Sequence, residues 1–247
     1  LSKSGAWQRV LGLLGSMAER RVRLDTVTCN SAISACANGG EWEHALQLLQ
    51  GVDQPDVITY TAMANTCEEA GLWQLSVHFL DTMWQTGLAP NEHAYATAIR
   101  TCVVGGEPRQ SLVVFDEMSK RGVQPNTFCY GAVISACKED RELWPVALNC
   151  LESMHASRLR PDIMVYDGVM RAITNAFGWG PGLQQQWFMV EELLQELLDA
   201  GLSPSFYTYT PLMEACKKAS RWDRALELLD EMRERRFSPD VVMYSLA

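Results

Sequence analysis

Apolar side chains between Val57 and Asn91 fall at helical steps twice over. Ile58, Met63 and Cys67 place apolar groups roughly one and two turns apart, which predicts a short first helix. Ala70-Gly71 interrupts the pattern where a turn between helices is expected. Trp73, Val77, Leu80 and Met83 then recur at steps of three and four, the stripe of a second amphipathic helix. Gly87 has the character of a left-handed helix stop, and Pro90 after it prevents continuation. The predicted unit is helix–turn–helix–linker. Neither helix can bury its apolar face alone, so neighbouring units must stack and share a core.

The same pattern is copied along the chain. Prolines recur at Pro55, Pro90, Pro125, Pro161, Pro204 and Pro239, separated by 35, 35, 36, 43 and 35 residues. A small polar residue follows each one: Asp56, Asn91, Asn126, Asp162, Ser205 and Asp240. Five residues past each proline stands a tyrosine: Tyr60, Tyr95, Tyr130, Tyr166, Tyr209 and Tyr244. Cys36, Cys67, Cys102, Cys137 and Cys216 share one slot, and Trp7, Trp42, Trp73 and Trp222 share another. Gly87, Gly122 and Gly201 sit three residues before their prolines, and Met83, Met118 and Met232 seven before theirs. A period of this size across several residue types predicts a tandem helical-hairpin solenoid.

In this frame the chain opens on a lone second helix at about 1–25. Repeats follow at 26–56, 57–91, 92–126, 127–162, 163–205 and 206–240, then the start of a seventh at 241–247. The whole is expected to be one solenoid domain and a stretch of a longer one. Three copies are irregular. The 26–56 copy lacks four residues between Trp42 and Pro55, which shortens its second helix by about one turn. The 127–162 copy carries one extra residue near Trp144-Pro145. The 163–205 copy carries eight, in or beside the 178–183 segment between its helices, and these read either as loop drift or as a partner contact through Trp179 and Trp187.

Composition narrows the picture. With 47% hydrophobic residues the chain can bury a core, yet no apolar run approaches the roughly 18 residues of a membrane span. Five of the eight cysteines share one repeat slot, so they read as small buried packing residues of a reduced compartment rather than as a disulfide framework. The tryptophan slot reads as core from its helical phase. The net charge is −9 with a pI near 5.0, whereas nucleic-acid binders neutralise phosphates and are usually basic.

The Val/Ile-Thr-Tyr-Thr/Asn opening, the Ala-Leu-Glu-Leu-Leu-Asp-Glu-Met second helix (Ala225 to Met232) and the Pro-Asp/Asn ending resemble the pentatricopeptide repeat. The resemblance covers essentially the whole chain. It implies an all-α fold, a right-handed α-solenoid whose first helices line a concave face and bind single-stranded RNA at one base per repeat. In that family the fifth and last residues of a repeat read the base edge, and the second packs between bases. Carried over, Asn30 with Asp56 implies uracil, Thr61 with Asn91 adenine and Thr210 with Asp240 guanine, with Val27 and Ile58 as base clamps. The three middle copies depart from the pattern. Ala96 and Gly131 lack a hydrogen-bonding group beside Asn126 and Asp162, and Asp167 faces Ser205. The second slots there and in the last copy hold His93, Phe128, Met164 and Tyr207, as base stackers or as packing between repeats. The implied register is U-A-x-x-x-G. First-helix charge is mixed: Arg100, Lys138, Arg171, Lys217 and Lys218 against Glu68, Glu69, Glu139 and Glu214.

No catalytic or metal-ligating constellation is legible. His44, His78, His93 and His155 fall in different slots, and the glycines at 178–182 lack the Lys-Ser/Thr of a phosphate loop. Glu231 and Arg235 are expected to pair at i,i+4 on an outer helix face. The chain therefore reads as a non-enzyme without cofactor, metal or small-molecule substrate. Two functions stand against each other. One is an adaptor for single-stranded RNA in organellar RNA processing, stability or translation, the mitochondrial or plastid location being implied by the family. The other is a protein-binding scaffold subunit of a large organellar complex, such as a ribosome or a membrane or photosynthetic assembly. The acidic charge, the degenerate middle and the irregular copies favour the second.

Overall fold

A computed structural model describes residues 6–19, 25–37, 39–176, 183–239 and 243–244. Every regular element among them is helical: α1 (Ala6–Glu19), α2 (Thr26–Ala37), α3 (Trp42–Gln50), α4 (Val57–Ala70), α5 (Trp73–Gln85), α6 (Glu92–Val104), α7 (Pro108–Lys120), α8 (Thr127–Glu139), α9 (Trp144–Ala156), α10 (Ile163–Ala176), α11 (Leu183–Asp199), α12 (Phe206–Lys218) and α13 (Trp222–Glu234). From α2 onward the even-numbered helices are the first, and the odd-numbered the second, of each hairpin. The chain divides into two compact units, Leu1–Ala132 and Val133–Ala247. In the first unit α2, α4 and α6 stack as a row, backed by α3, α5 and α7. In the second, α10 stacks on α12, with α9, α11 and α13 behind.

Helix starts are set by the polar residue at each repeat boundary, which from Asp56 to Ser205 follows a proline. Asp25, Asp56, Asn91, Asn126 and Asp162 each accept the N–H of the residue three positions on through a side-chain oxygen, at 2.7–3.1 Å. Ser205 does the same for Tyr207 and Thr208. These are N-caps, satisfying a donor the first turn cannot pair internally.

Second helices stop on a left-handed residue. Gly87, Gly122 and Gly201 take φ of 78°, 78° and 74°, and the N–H after each closes back on a carbonyl five residues earlier, as in Leu88 N–H to Met83 at 2.8 Å. In two copies the slot is filled by Arg158 and Arg236, at φ of 56° and 63°. A side chain there is strained by about 1 kcal/mol. Arg158→Gly is therefore expected to raise stability by about 0.5–1 kcal/mol. A urea titration followed by circular dichroism checks this, with Gly122→Ala shifting the midpoint the other way.

The core runs between the helix rows. Tyr60, Tyr95, Tyr130, Tyr166 and Tyr209 are buried, as are all eight cysteines, which are unpaired. Burial pushes the thiols up, to about 11 for Cys67 and Cys102 and about 12 for Cys137, Cys150 and Cys216, so they stay protonated and inert. The tryptophan slot is not core. Trp42 and Trp73 are half-buried and Trp222 is 58% exposed, because the slot is the first residue of a second helix, at the end of the hairpin. There Trp73 lies against the next turn. A Cβ on Gly105 would sit 2.8 Å from its ring and 2.7 Å from the Gly71 carbonyl oxygen.

The irregular copies resolve unequally. Helix α3 has 9 residues where α5, α7, α9 and α13 have 13, so the four missing residues are one helical turn. Helix α11 has 17, so half of the eight extra residues lengthen the helix rather than the connection before it. Trp179 and residues 178–182 lie outside the described residues, and Trp187 is buried in α11. Glu231 pairs with Arg224 at 3.0 Å, not with Arg235. Arg224 also reaches Glu191 of α11 at 2.8 Å and Glu227 at 2.9 Å, a half-buried network that outcompetes an exposed i,i+4 pair.

Candidate nucleic-acid interface

Caps and fifth residues converge at the N-terminal ends of the first helices. Asn30 lies on the second turn of α2, and Asp56 caps α4 beside it. The Asn30 amide donates to Asp56 Oδ1 at 3.2 Å. Thr59, buried on the first turn of α4, completes a triangle with hydroxyl distances of 2.7 Å to Asn30 Oδ1 and 2.8 Å to Asp56 Oδ1. Burial raises the Asp56 carboxyl, but the Thr59 N–H and hydroxyl and the Asn30 amide outweigh it, leaving the group below its ordinary value. Sequence reasoning missed Thr59. The capping-box spacing Asp56-x-x-Thr59 was the signal that could have found it.

Thr61 and Asn91 are built differently. The Thr61 hydroxyl donates to the Val57 carbonyl at 2.6 Å, and Asn91 Oδ1 accepts the Ala94 N–H at 2.9 Å. No hydrogen bond joins the two side chains among the described residues, because Ala94 stands where Thr59 stands one copy earlier. Thr210 is half-buried on α12, while its partner Asp240 lies outside the described residues. Ala96, like Thr61, is buried.

Asp167, set aside as a departure from the pattern, makes two side-chain hydrogen bonds, as Asn30 does. Ser205 Oγ accepts two backbone N–H groups and donates to Asp167 Oδ2 at 3.0 Å. Thr208 Oγ1 accepts the Ser205 N–H and donates to Asp167 Oδ1 at 2.6 Å. Burial pushes the Asp167 carboxyl up, opposed by the two hydroxyls and by Arg171.

The second residues are open to solvent. Val27, Ile58, Phe128, Met164 and Tyr207 are 71%, 66%, 76%, 76% and 68% exposed, so they do not pack between hairpins. Apolar groups this exposed leave contact surfaces on the first helices of each unit: Val27, Ile58 and Phe128 in the first, Met164 and Tyr207 in the second.

Charge differs between the units. In the first, Arg100 is engaged by Glu68 at 2.7 Å in a cavity of about 370 Å³ that Glu69 and His93 also line. In the second, Lys138, Glu139, Asp167 and Arg171 line an open cavity of about 530 Å³. Burial and Arg171 lower the Lys138 ammonium, and burial lowers that of Lys218, whose Nζ donates to the Thr174 carbonyl at 2.6 Å. Among the described residues no His, Cys, Asp and Glu cluster is placed to hold a metal ion, and no helix is long and apolar enough to cross a membrane.

Capped helical hairpins repeated in tandem define a helical-repeat protein. Models of the pentatricopeptide repeat domain match residues 113–176 and 192–246, and models of the PPR repeat match 27–51 and 93–123. The chain belongs to the pentatricopeptide repeat family.

Solved structures of related fold agree. The chain is similar to the pentatricopeptide repeat protein PPR10 in complex with an 18-nt psaJ RNA element, at 19% identity and a TM-score of 0.57 over 98% of this chain and 40% of that one. PPR10 from maize matches at 23% identity and 0.54 over 98% and 44%. The PPR domain of Arabidopsis thaliana protein-only RNase P 1 in complex with tRNA matches at 13% identity and 0.61 over 74% and 92%. The chain thus spans less than half the length of the PPR10 chains it resembles. No curated protein sequence matches it.

Proposed function

We propose that this chain binds single-stranded RNA along its first-helix face and acts as a non-enzymatic adaptor in organellar RNA processing, stability or translation. The observation that carries the reading is the Asn30–Asp56–Thr59 triangle. With one Asn30 amide hydrogen given to Asp56 and the Thr59 hydroxyl hydrogen shared between Asn30 Oδ1 and Asp56 Oδ1, the pair offers an amide donor beside the carboxylate acceptor. That complements uracil, whose N3–H lies beside a carbonyl oxygen. At Thr61/Asn91 the cap leaves the Asn91 amide as donor and the Thr61 oxygen as acceptor, the complement of adenine N1 and its amino group. Val27 and Ile58, exposed beside these pairs, supply packing for the base faces. PPR10, in complex with an 18-nt psaJ RNA element, and the PPR domain of protein-only RNase P 1, in complex with tRNA, support RNA as the class of ligand.

The second reading, a protein-binding scaffold in an organellar assembly, is favoured by the net charge of −9 and by Glu68 and Glu69 on the first unit's face, where Glu68 already occupies Arg100. Fluorescence anisotropy across a salt series decides between them. An RNA carrying U-A-N-N-N-G is expected to bind about tenfold or more tighter than one with those three bases exchanged, and Asn30→Ala is expected to erase the preference at the first base. Equal, steeply salt-dependent binding would reduce the interaction to phosphate attraction. No binding at low salt overturns the RNA reading and favours protein partners.

A further inference from the structure

The RNA-binding reading leaves the 163–205 hairpin without a base, yet its reading position holds a preorganised carboxylate. Both hydroxyl protons in the network, from Ser205 and Thr208, are spent on Asp167, and each hydroxyl oxygen is itself held by backbone N–H groups. Each Asp167 oxygen therefore accepts one hydrogen bond from the protein and keeps further acceptor capacity. Neither hydroxyl can turn a proton toward the cavity without abandoning the carboxylate. The carboxylate therefore presents two adjacent acceptors, and its hydroxyl partners present no free donor.

An open cavity of about 530 Å³ surrounds it. Met164, from the same hairpin, and Tyr207, from the next, line the opening with Asp167 and are largely exposed. Gly168, next to Asp167, brings α10 close to α8, since a Cβ there would fall 2.6 Å from Ile134 Cγ2. Lys138 and Arg171 line the same cavity and offset the repulsion that Asp167 and Glu139 exert on a phosphate chain.

Base edges differ in how many donors they place side by side. Cytosine and adenine each present one amino group beside a ring-nitrogen acceptor, which opposes the second carboxylate oxygen. Uracil presents one N–H between two carbonyl oxygens. Guanine alone presents two adjacent donors, N1–H and the 2-amino group, at the spacing of a carboxylate. We propose that Asp167, held by Ser205 and Thr208, selects guanine, stacked between Met164 and Tyr207. This rests on the RNA-binding reading and extends its register from U-A-x-x-x-G to U-A-x-x-G-G.

The test uses four fluorescein-labelled RNAs, U-A-C-C-B-G with B as G, A, C or U, and the exchanged-base control of the preceding section. The B = G RNA is expected to bind about tenfold tighter than the other three. Asp167→Asn turns one acceptor into a donor and is expected to remove that preference while leaving discrimination at the first two bases intact. Tyr207→Ala is expected to weaken all four RNAs together. Unchanged circular dichroism spectra establish that both variants are folded. Equal binding of the four RNAs, with the exchanged-base control still rejected, overturns the guanine assignment and leaves the RNA-binding reading standing. Absence of binding to any RNA overturns both.

Discussion

Replacing Tyr95 by alanine is expected to destabilise the first unit by about 3–5 kcal/mol, the largest effect of any substitution considered. The ring is fully buried on α6, and its hydroxyl accepts the indole N–H of Trp84 at 3.0 Å. Alanine leaves a ring-sized void in a row of helices that cannot close over it, because α4 and α6 are held by their own caps and by neighbours on both sides. It also leaves the Trp84 indole, which carries the Arg121 guanidinium 4.8 Å above it, without its acceptor. Tyr95→Phe separates the two contributions. It keeps the volume and removes only the hydroxyl, so a loss of about 1 kcal/mol is expected. Urea unfolding of the two variants measures both, and a Tyr95→Ala protein as stable as the parent would show that hairpin packing does not depend on the tyrosine slot.

The second large effect falls on Asp56, where stability and recognition share one side chain. Asp56→Ala removes the cap of α4, the acceptor of the Asn30 amide and the partner of Thr59 together. The cap alone is worth about 1–2 kcal/mol. RNA affinity is expected to fall by about tenfold or more, because Asn30 loses the contact that orients it. Asp56→Ser keeps a capping oxygen and is expected to recover most of the stability without the base preference, which distinguishes recognition from folding. The carboxyl lies below its ordinary value of 3.8 in the folded chain. Its contribution is therefore complete above the ordinary value and lost only as pH falls through the lowered one. The stability difference between parent and Asp56→Ala should stay constant from pH 7 to about pH 5 and close only below about 3.8. A difference that closed near neutral pH would mean that the carboxylate is not what caps α4.

Much of the molecule is legible without coordinates because a helical hairpin is local. Proline spacing, tyrosine phase and glycine stops concern residues within one or two turns of each other, and the backbone follows them: Gly87, Gly122 and Gly201 are left-handed as their positions required. The tryptophan slot misled because helical phase says which side of a helix a residue lies on but not how near the end it is. Trp222, at the first position of α13, projects past the hairpin instead of into it. The Glu231–Arg235 expectation failed for a related reason. Spacing along one helix competes with a partner on another, and Arg224 reaches Glu191 across from α11.

The candidate site divides along the same line. The sequence by itself determined the order and length of the repeats, the four-residue shortening of α3, and which residues stand at the second, fifth and last positions of each copy. It did so because those features depend on periodicity and turn chemistry, which act over a few neighbouring residues. Only the tertiary structure decided what those positions touch. Thr59 meets Asn30 from 29 residues away and Thr208 meets Asp167 from 41, each across a boundary between hairpins. The same stacking leaves Val27, Ile58, Phe128, Met164 and Tyr207 exposed rather than buried between repeats. A hydrogen bond needs its partners within about 3 Å, and only the packing of one hairpin on the next brings distant residues to that range.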